Sequence, residues 1–302
     1  MSRLERIPTR DARIGGGLLI RRALPAPGRR TVGAWCFLDH AGPLEVRGGA
    51  GLRVGPHPHI GLQTFTWMIE GAVMHRDSLG NEQLITPGQV NLMTAGSGIS
   101  HSEDSAEAGP GAPHHDRLHA VQLWIALPDA ERHRAPDFRN HPVLPVFALG
   151  GARVTVLAGT VSGHRAPTRV YSPLMAADLS ADAAVHARLP LETAFEHAVL
   201  VLSGEARVTG QPLAPGTLLY LPPGREALDV RCDGAARLIV IGGEPFAEQV
   251  LLWWNFVARS VGELEQAVAD WKAGARFGTV SGSPSPPLVA PALDGLRLRA
   301  GK

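Results

Sequence analysis

Short apolar stretches, each ended by a turn-forming residue, follow one another along most of the chain. Between residues 60 and 128 they come at intervals of about ten residues and include LQTFTWMIEG, EQLITPG, QVNLMTAG and LHAVQLWIALP. The second half repeats the pattern in HAVLVLSGEARV, TLLYLPPG, ALDVRCDG and ARLIVIGGEP. Regular short strands separated by Gly, Pro, Asn or Asp are typical of β-sandwiches and β-barrels, so we predict an all-β protein.

One segment near the carboxyl end has a longer apolar period. Residues 246–274, FAEQVLLWWNFVARSVGELEQAVADWKAG, place apolar side chains near a period of 3.6, which predicts a helical segment. Ser260 followed by Glu263 has the spacing of a capping box, so a second helix is expected to begin there and to end near Gly274. The residues after 275 are predicted to form a loose tail.

The two halves of the chain resemble each other. MIEGAV…ITPGQVNLMTAGSGISHSE and VLSGEARV…LAPGTLLYLPPGREALDVR share an order of strand, hairpin glycine, Pro-Gly turn and strand. Aligning Gly88 with Gly216 also aligns Gly96 with Gly224, and it places His101 on Asp229 and Glu103 on Arg231. We therefore expect two similar antiparallel β-barrels, of which only the first keeps the histidine chemistry.

The composition limits the classes of partner and compartment. The 302 residues carry a formal net charge of +1, which gives no electrostatic basis for binding nucleic acid or an anionic membrane. Glycine (35) and proline (25) are abundant, as many turns require. No run of 18 apolar residues and no secretory signal are present, and the two cysteines are far apart. A cytoplasmic protein without membrane contact is the expectation.

Histidine is the residue type that points to chemistry. Seven of the 13 histidines lie between residues 57 and 119. His57 and His59 are i and i+2 at the start of a predicted strand, and His101 and Glu103 have the same spacing on another. Residues i and i+2 of a strand point to the same face, so these four side chains can converge in one barrel. Three imidazoles and one carboxylate suit iron, zinc, copper, nickel or manganese.

The other polar residues of this region carry weaker expectations. His75 is predicted to be a surface histidine of the intervening hairpin, and a position lining the pocket is the alternative. His114, His115 and His119 flank a Gly/Pro-rich loop and are expected to be solvated. Candidate partners for the outer nitrogens of the ligands are Gln63, Asp77 and Gln122. Trp67, Met68, Met93 and Trp124 are expected to pack the barrel.

Residues 56–103, PHPHIGLQTFTWMIEGAVMHRDSLGNEQLITPGQVNLMTAGSGISHSE, resemble the signature of the pirin family, within the cupin superfamily. RLHAVQLWIALP fits the strand that follows in that family, and the resemblance covers about residues 5–275. It implies a bicupin fold of the jelly-roll type, with one metal, iron, in the first barrel. The expected domains are residues 1–130 with the metal site, 145–275 without ligands but with the helices, and a tail over 276–302.

The resemblance also implies site residues and an activity. The two histidines of the family's P-H-x-H motif and the His and Glu of G-I-x-H-x-E fall on His57, His59, His101 and Glu103. Members of the family resemble quercetin 2,3-dioxygenases, which implies a flavonol-like substrate and O2. A carboxylate ligand can also accept the substrate's proton, so Glu103 is the expected catalytic base.

Two departures from the related patterns limit what can be transferred. Gln63 stands where many cupins have a glutamate ligand, and the WWNFVARS segment (253–260) differs from the eukaryotic members. The alternative function is a non-catalytic, redox-sensitive regulatory protein that binds metal and a protein partner, as eukaryotic pirins are described. A third possibility is an isomerase or sugar-related cupin, which an arginine-lined polar pocket would indicate.

Overall fold

The computed structural model describes residues 4–46, 51–105 and 117–293, which form strands, one α-helix and a short 3-10 turn at Gly15–Gly17. The strands of the first half are β1 (Glu5–Pro8), β2 (Arg10–Ile14), β3 (Leu18–Leu24), β4 (Trp35–Glu45), β5 (Arg53–His59), β6 (Leu62–Glu70), β7 (Val73–Asp77), β8 (Glu82–Ile85), β9 (Val90–Thr94), β10 (Ile99–Ser105), β11 (Arg117–Ala126) and β12 (Asp137–His141). The expectation of an all-β protein with a C-terminal helical segment is confirmed.

The second half continues the pattern and ends with the helix. Its elements are β13 (Val146–Leu149), β14 (Ala152–Ala158), β15 (Thr160–Val161), β16 (His164–Arg165), β17 (Leu174–Ala181), β18 (Val185–Pro190), β19 (Glu196–Ser203), β20 (Ala206–Val208), β21 (Gln211–Leu213), β22 (Thr217–Leu221), β23 (Ala227–Cys232), β24 (Ala236–Gly243), β25 (Leu251–Trp253), β26 (Phe256–Ala258) and α1 (Val261–Lys272).

The chain forms two compact units that are interleaved in the sequence. Residues 12–20, 41–140 and 247–302 make up one unit, called here the histidine unit because it holds His57, His59 and His101. Residues 1–11, 21–40 and 141–246 make up the other, called the apolar unit after its interior. These units differ from the consecutive division at 1–130 and 145–275. The chain passes from one unit to the other inside β3 and again inside β4. The segment after Phe246 belongs to the histidine unit rather than to the apolar unit.

The two units repeat one strand order. The histidine unit has a four-stranded sheet β5-β10-β7-β8, and the apolar unit has β18-β23-β20-β21, in which every strand is 13 places later. The larger sheets contain β9-β6-β11-β4 and β22-β19-β24-β17, again 13 strands apart. The internal sequence similarity therefore reflects two copies of one antiparallel topology.

The strand pairing corrects the alignment of the two halves by one residue. In β23, which corresponds to β10, the buried residues are Leu228, Val230 and Cys232. Asp229 and Arg231, the expected partners of His101 and Glu103, point the other way, with 39% and 58% of their side chains exposed. The ungapped alignment fails because equal spacing between turn glycines does not fix the facing of a strand, which alternates at every residue. Strand β23 contains no histidine, so the expectation that the second unit lacks the histidines of β10 does not depend on the alignment.

The predicted first helix is wrong and the second is confirmed. Instead of a helix, β25 and β26 form a hairpin in which Trp253 pairs with Phe256. Trp254 has φ 51° in its turn, and the bulky aromatic residues of this segment favour strands. The helix α1 begins after Ser260, whose side chain accepts a hydrogen bond from the Glu263 amide, and Glu263 accepts from the amide of Arg259.

The segment that follows α1 packs against β5. A Cβ atom on Gly55 would lie 2.1 Å from the carbonyl oxygen of Pro286, so the close approach of these two backbones requires glycine. The Trp271 indole also donates to the carbonyl of Leu288. This part of the expected tail is therefore packed against β5 and α1 rather than loose. Across the described ranges, no helix has the length and apolar character that a membrane crossing requires.

Candidate metal centre

The sheet β5-β10-β7-β8 brings its polar side chains to one face. His101 of β10 lies opposite His57 of β5 and opposite Asp77 of β7, while Glu103 lies opposite His75. Directly opposed residues in antiparallel strands share a face, as do residues i and i+2. One face of the sheet therefore carries all of His57, His59, His75, Asp77, His101 and Glu103.

A bulge shapes the strand that holds the first two histidines. Ser102 of β10 is opposed by two residues of β5, Gly55 and Pro56, so the pairing shifts between His101 and Glu103. The bulge leaves the carbonyl of Gly55 free to accept a hydrogen bond from Nδ1 of His57, at 2.9 Å. Pro56 fits such a position because it lacks the amide hydrogen that a regular ladder requires.

Three imidazoles converge on one point. His57, His59 and His101 are at most 5% exposed, and one ligand atom from each lies within 4.8 Å of the others. Nε2 of His59 is 3.0 Å from Nε2 of His101. Two nitrogens bound about 2.1 Å from one ion, roughly at right angles, would be separated by about 3.0 Å. The donor set and its spacing therefore fit a single transition-metal ion.

The outer nitrogens of the three rings are all engaged. Nδ1 of His57 faces the carbonyl of Gly55 and Nδ1 of His59 faces the carbonyl of Asn255, both at 2.9 Å. A carbonyl oxygen only accepts, so each of these Nδ1 atoms carries the hydrogen and each Nε2 presents a lone pair. Nδ1 of His101 lies 3.3 Å from Nδ1 of His75.

Burial keeps these rings neutral. Desolvation lowers the pKa of His57 to about 4, against a partial opposing effect of its hydrogen bond to Gly55. The pKa values of His59 and His101 also lie well below the usual 6.5, first because of burial and then because the neighbouring imidazoles repel a further positive charge. Neutral imidazole is the form that binds metal, so no proton has to leave at neutral pH.

Glu103 lies on the same face but outside the cluster of three. Among the residues that the structure describes, the group whose ligand atoms approach within 4.8 Å consists of the three histidines, and Glu103 is not in it. Its Oε1 is 3.5 Å from the hydroxyl of Thr66, which donates its hydrogen to Gln122 at 2.7 Å. Burial raises the pKa of Glu103 above its usual value. Its role as the fourth ligand stays a prediction.

His75 is not the surface histidine that the sequence suggested. It is 3% exposed, lies next to His101, and stacks on Phe138 with ring centroids 4.2 Å apart and planes 9° apart. Its Nε2 is 3.1 Å from a carboxylate oxygen of Asp77. His75 and Asp77 have the same i, i+2 spacing as the other two pairs, and that spacing was the available signal.

The remaining candidates have mixed outcomes. Gln63 is fully buried and donates to Thr94 at 2.9 Å, so its amide holds two strands together. Trp124 meets the ring of His59 edge to face, with centroids 5.2 Å apart. His119 is buried in β11 rather than solvated. His114 and His115 lie outside the described residues.

Comparison with known proteins agrees with this geometry. The Pirin family model matches residues 17–125, and the model of the Pirin C-terminal cupin domain matches residues 176–278. A protein of Pseudomonas aeruginosa with the provisional name quercetin 2,3-dioxygenase is 50% identical over 95% of this chain and 90% of its own length. A pirin-like protein of Caulobacter vibrioides is 38% identical over 86% and 90%.

Solved structures show the same fold. The crystal structure of a quercetin 2,3-dioxygenase from Acinetobacter baumannii matches with a TM-score of 0.92 and 46% identity, over 98% of this chain and 97% of that one. A bacterial pirin from Escherichia coli, solved in complex with nickel(II), matches in fold with a TM-score of 0.62 and 20% identity, over 80% and 100%. Since two family models match and a relative is 50% identical over 95% of this chain, the chain belongs to the pirin family.

Proposed function

We propose that this chain is a metal-dependent dioxygenase, with iron as the expected metal, that opens flavonols such as quercetin with O2. The observation that carries the proposal is the convergence of three buried, neutral imidazoles in the histidine unit. The likeness to the quercetin 2,3-dioxygenase of A. baumannii, at 46% identity, supports the substrate class.

The proposed ligands are His57, His59 and His101, with Glu103 as the fourth. Imidazole and carboxylate donors also accept copper, nickel, manganese or zinc, and the nickel(II) complex of the E. coli pirin illustrates that range. When bound, the metal would act as a Lewis acid that lowers the pKa of a chelated flavonol 3-hydroxyl group.

Glu103 is the proposed proton acceptor. Because burial raises its pKa, its carboxylate is a stronger base than an exposed glutamate and can take the proton of the flavonol 3-hydroxyl. The Thr66 hydroxyl, 3.5 Å from Oε1 of Glu103 and 2.7 Å from Oε1 of Gln122, can donate its one hydrogen to either oxygen, so it would hold the carboxylate when it turns away from Gln122. The deprotonated flavonol and O2 together give a ring-opened ester and carbon monoxide, with both atoms of O2 retained in the ester.

The first experiment measures O2 consumption and carbon monoxide release from quercetin by purified protein of known metal content. Metal-loaded wild type is expected to turn over, and a His57→Ala/His101→Ala variant is expected to show neither metal nor activity. A fully loaded wild type without turnover on any flavonol would contradict the enzymatic proposal. That outcome would favour the non-catalytic regulatory alternative.

The role of Glu103 has a separate test. Glu103→Gln is expected to keep much of the metal and to lower kcat by about 10²–10⁴, the usual contribution of a general base. Asp104→Asn is the matched control, since Asp104 is the next residue of β10, faces away from the histidines and lies 3.9 Å from Arg76. Wild-type turnover of Glu103→Gln at full metal occupancy would rule out the base role.

The wider setting of the protein also stays a prediction. A cytoplasmic location is the expectation, and both Cys36 and Cys232 are buried free thiols. A protein partner belongs to the alternative function, and direct binding of nucleic acid is not expected at a net charge of +1.

A further inference from the structure

A line of hydrogen bonds leads away from His101. Nδ1 of His101 lies 3.3 Å from Nδ1 of His75, and Nε2 of His75 lies 3.1 Å from Oδ2 of Asp77. The Asp77 carboxylate also accepts from the amides of Leu79 and Asn81 and from the side chain of Asn81, at 2.9 to 3.1 Å. Asp77 is therefore fixed in position by the turn that follows β7.

The partners of these groups, together with a metal at Nε2 of His101, indicate which atom carries each hydrogen. Burial alone would raise the pKa of Asp77, but hydrogen bonds from His75 and Asn81 outweigh it and lower the pKa, so the carboxylate only accepts. Nε2 of His75 must then carry a hydrogen. The two facing Nδ1 atoms share one hydrogen, and a His101 that presents the lone pair of its Nε2 to a metal carries that hydrogen on Nδ1, so Nδ1 of His75 accepts it.

We propose that His75, held by Asp77, is a positioning residue that fixes His101 in its Nδ1–H tautomer and thereby turns the lone pair of its Nε2 toward the metal. The inference rests on the proposed metal site and not on flavonol turnover. It completes a set, because Nε2 of His59, 3.0 Å away, has its own lone pair fixed by the Asn255 carbonyl.

The three ligands differ in what fixes them. His57 and His59 donate to backbone carbonyls, which no side-chain substitution removes. Nδ1 of His101 instead faces a side chain, that of His75. Of the three ligands, His101 is therefore the one whose hydrogen-bond partner a single substitution can remove. Groups that orient a metal ligand contribute about 10–100-fold to metal affinity.

Two substitutions of His75 separate the hydrogen bond from packing. His75→Phe keeps an aromatic ring against Phe138 but removes the acceptor. His75→Asn loses the stacking but keeps an acceptor oxygen close to the place of Nδ1. Phe138→Leu is the packing control, since it removes the ring stacked on His75 and leaves the hydrogen-bond line. Asp77 is a poorer site for the test because its substitution would also disturb the turn at residues 78–81.

The experiment has two readouts, the dissociation constant of Co²⁺ added to metal-free protein and the ¹⁵N resonances of the histidine rings before metal is added. We expect His75→Phe to bind Co²⁺ about 10–100-fold more weakly and to lose the Nδ1–H signal of His101, while His75→Asn and Phe138→Leu stay near wild type in both. Unchanged affinity and tautomer in His75→Phe would overturn the inference alone. A wild type that binds no Co²⁺ would overturn the proposed metal site and the inference together.

Discussion

His57 and His197 are both buried histidines, one in each unit, and burial lowers the pKa of both to about 4. Nδ1 of His57 donates to a carbonyl, and its ring converges with two others. His197 lies between Leu221 and Gly242, and among the described residues neither of its ring nitrogens has a hydrogen-bond partner. A histidine pKa near 4 therefore does not by itself indicate a metal site; converging lone pairs and engaged outer nitrogens distinguish the candidate metal site.

The difference extends to the interiors of the two units. Strand β5 and strand β10 bring histidines together, whereas β18 and β23 bring together Ala187, Leu189, Leu228 and Val230, all without exposed surface. Since the strand order is the same, the topology does not require a metal. Gly242 gives the ring of His197 its space, because a Cβ there would lie 2.5 Å from that ring.

Removing one buried histidine from each unit gives the largest contrast. His59→Ala is expected to weaken metal binding by more than about 100-fold, the upper end for residues that only support a ligand. His197→Leu is expected to leave metal binding unchanged. Metal content after dialysis and a Co²⁺ titration measure both variants. Equal metal loss in the two variants would contradict the claim that metal binds in the histidine unit and not in the apolar unit.

Leu228→Ala tests the apolar interior by its packing. Leu228 is fully buried in the cluster with Leu189, Val230 and their neighbours, so the substitution is expected to lower the free energy of unfolding by about 2–5 kcal/mol. Metal affinity of the folded protein should not change. Denaturant unfolding followed by a Co²⁺ titration provides the check, and a marked loss of affinity in folded protein would argue against the separation of roles.

His197→Leu has the smallest expected effect, on the pH dependence of stability. The pKa of His197 is about 4 when folded and about 6.5 when unfolded, so the unfolded chain binds the extra proton first as the pH falls. Its contribution to stability is present above pH 6.5 and is lost toward pH 4. The slope due to one such histidine is at most about 1.4 kcal/mol per pH unit. The free energy of unfolding of the variant should fall less steeply than that of the wild type between pH 6.5 and 4. An equally steep fall in both proteins would show that other groups cause it.

The sequence was sufficient for the fold class and for three converging histidines. Short strands with turn residues recur at regular spacing, and the i, i+2 rule brings His57 and His59 to one face without knowledge of the rest. Local periodicity could not separate a helix from a hairpin over residues 246–258, because bulky apolar residues occupy successive positions there.

Two other features depend on pairing between distant strands. His75 lies on the face of the three histidines because β7 pairs with β10 so that His75 is opposite Glu103. The sequence of one strand does not determine that pairing. The one-residue error at Asp229 has the same origin, since the facing of β23 is set by its partners β18 and β20. The assignment of the segment after Phe246 to the histidine unit likewise requires contacts such as the bond from His59 to Asn255.

The most direct test of the account is an anomalous difference map from crystals of metal-loaded protein, recorded at the absorption edge of the metal. The account predicts one strong peak, about 2.0–2.2 Å from the Nε2 atoms of His57, His59 and His101, and no peak in the interior around His197. A map without a peak at the three histidines, or with the metal bound elsewhere, would contradict it.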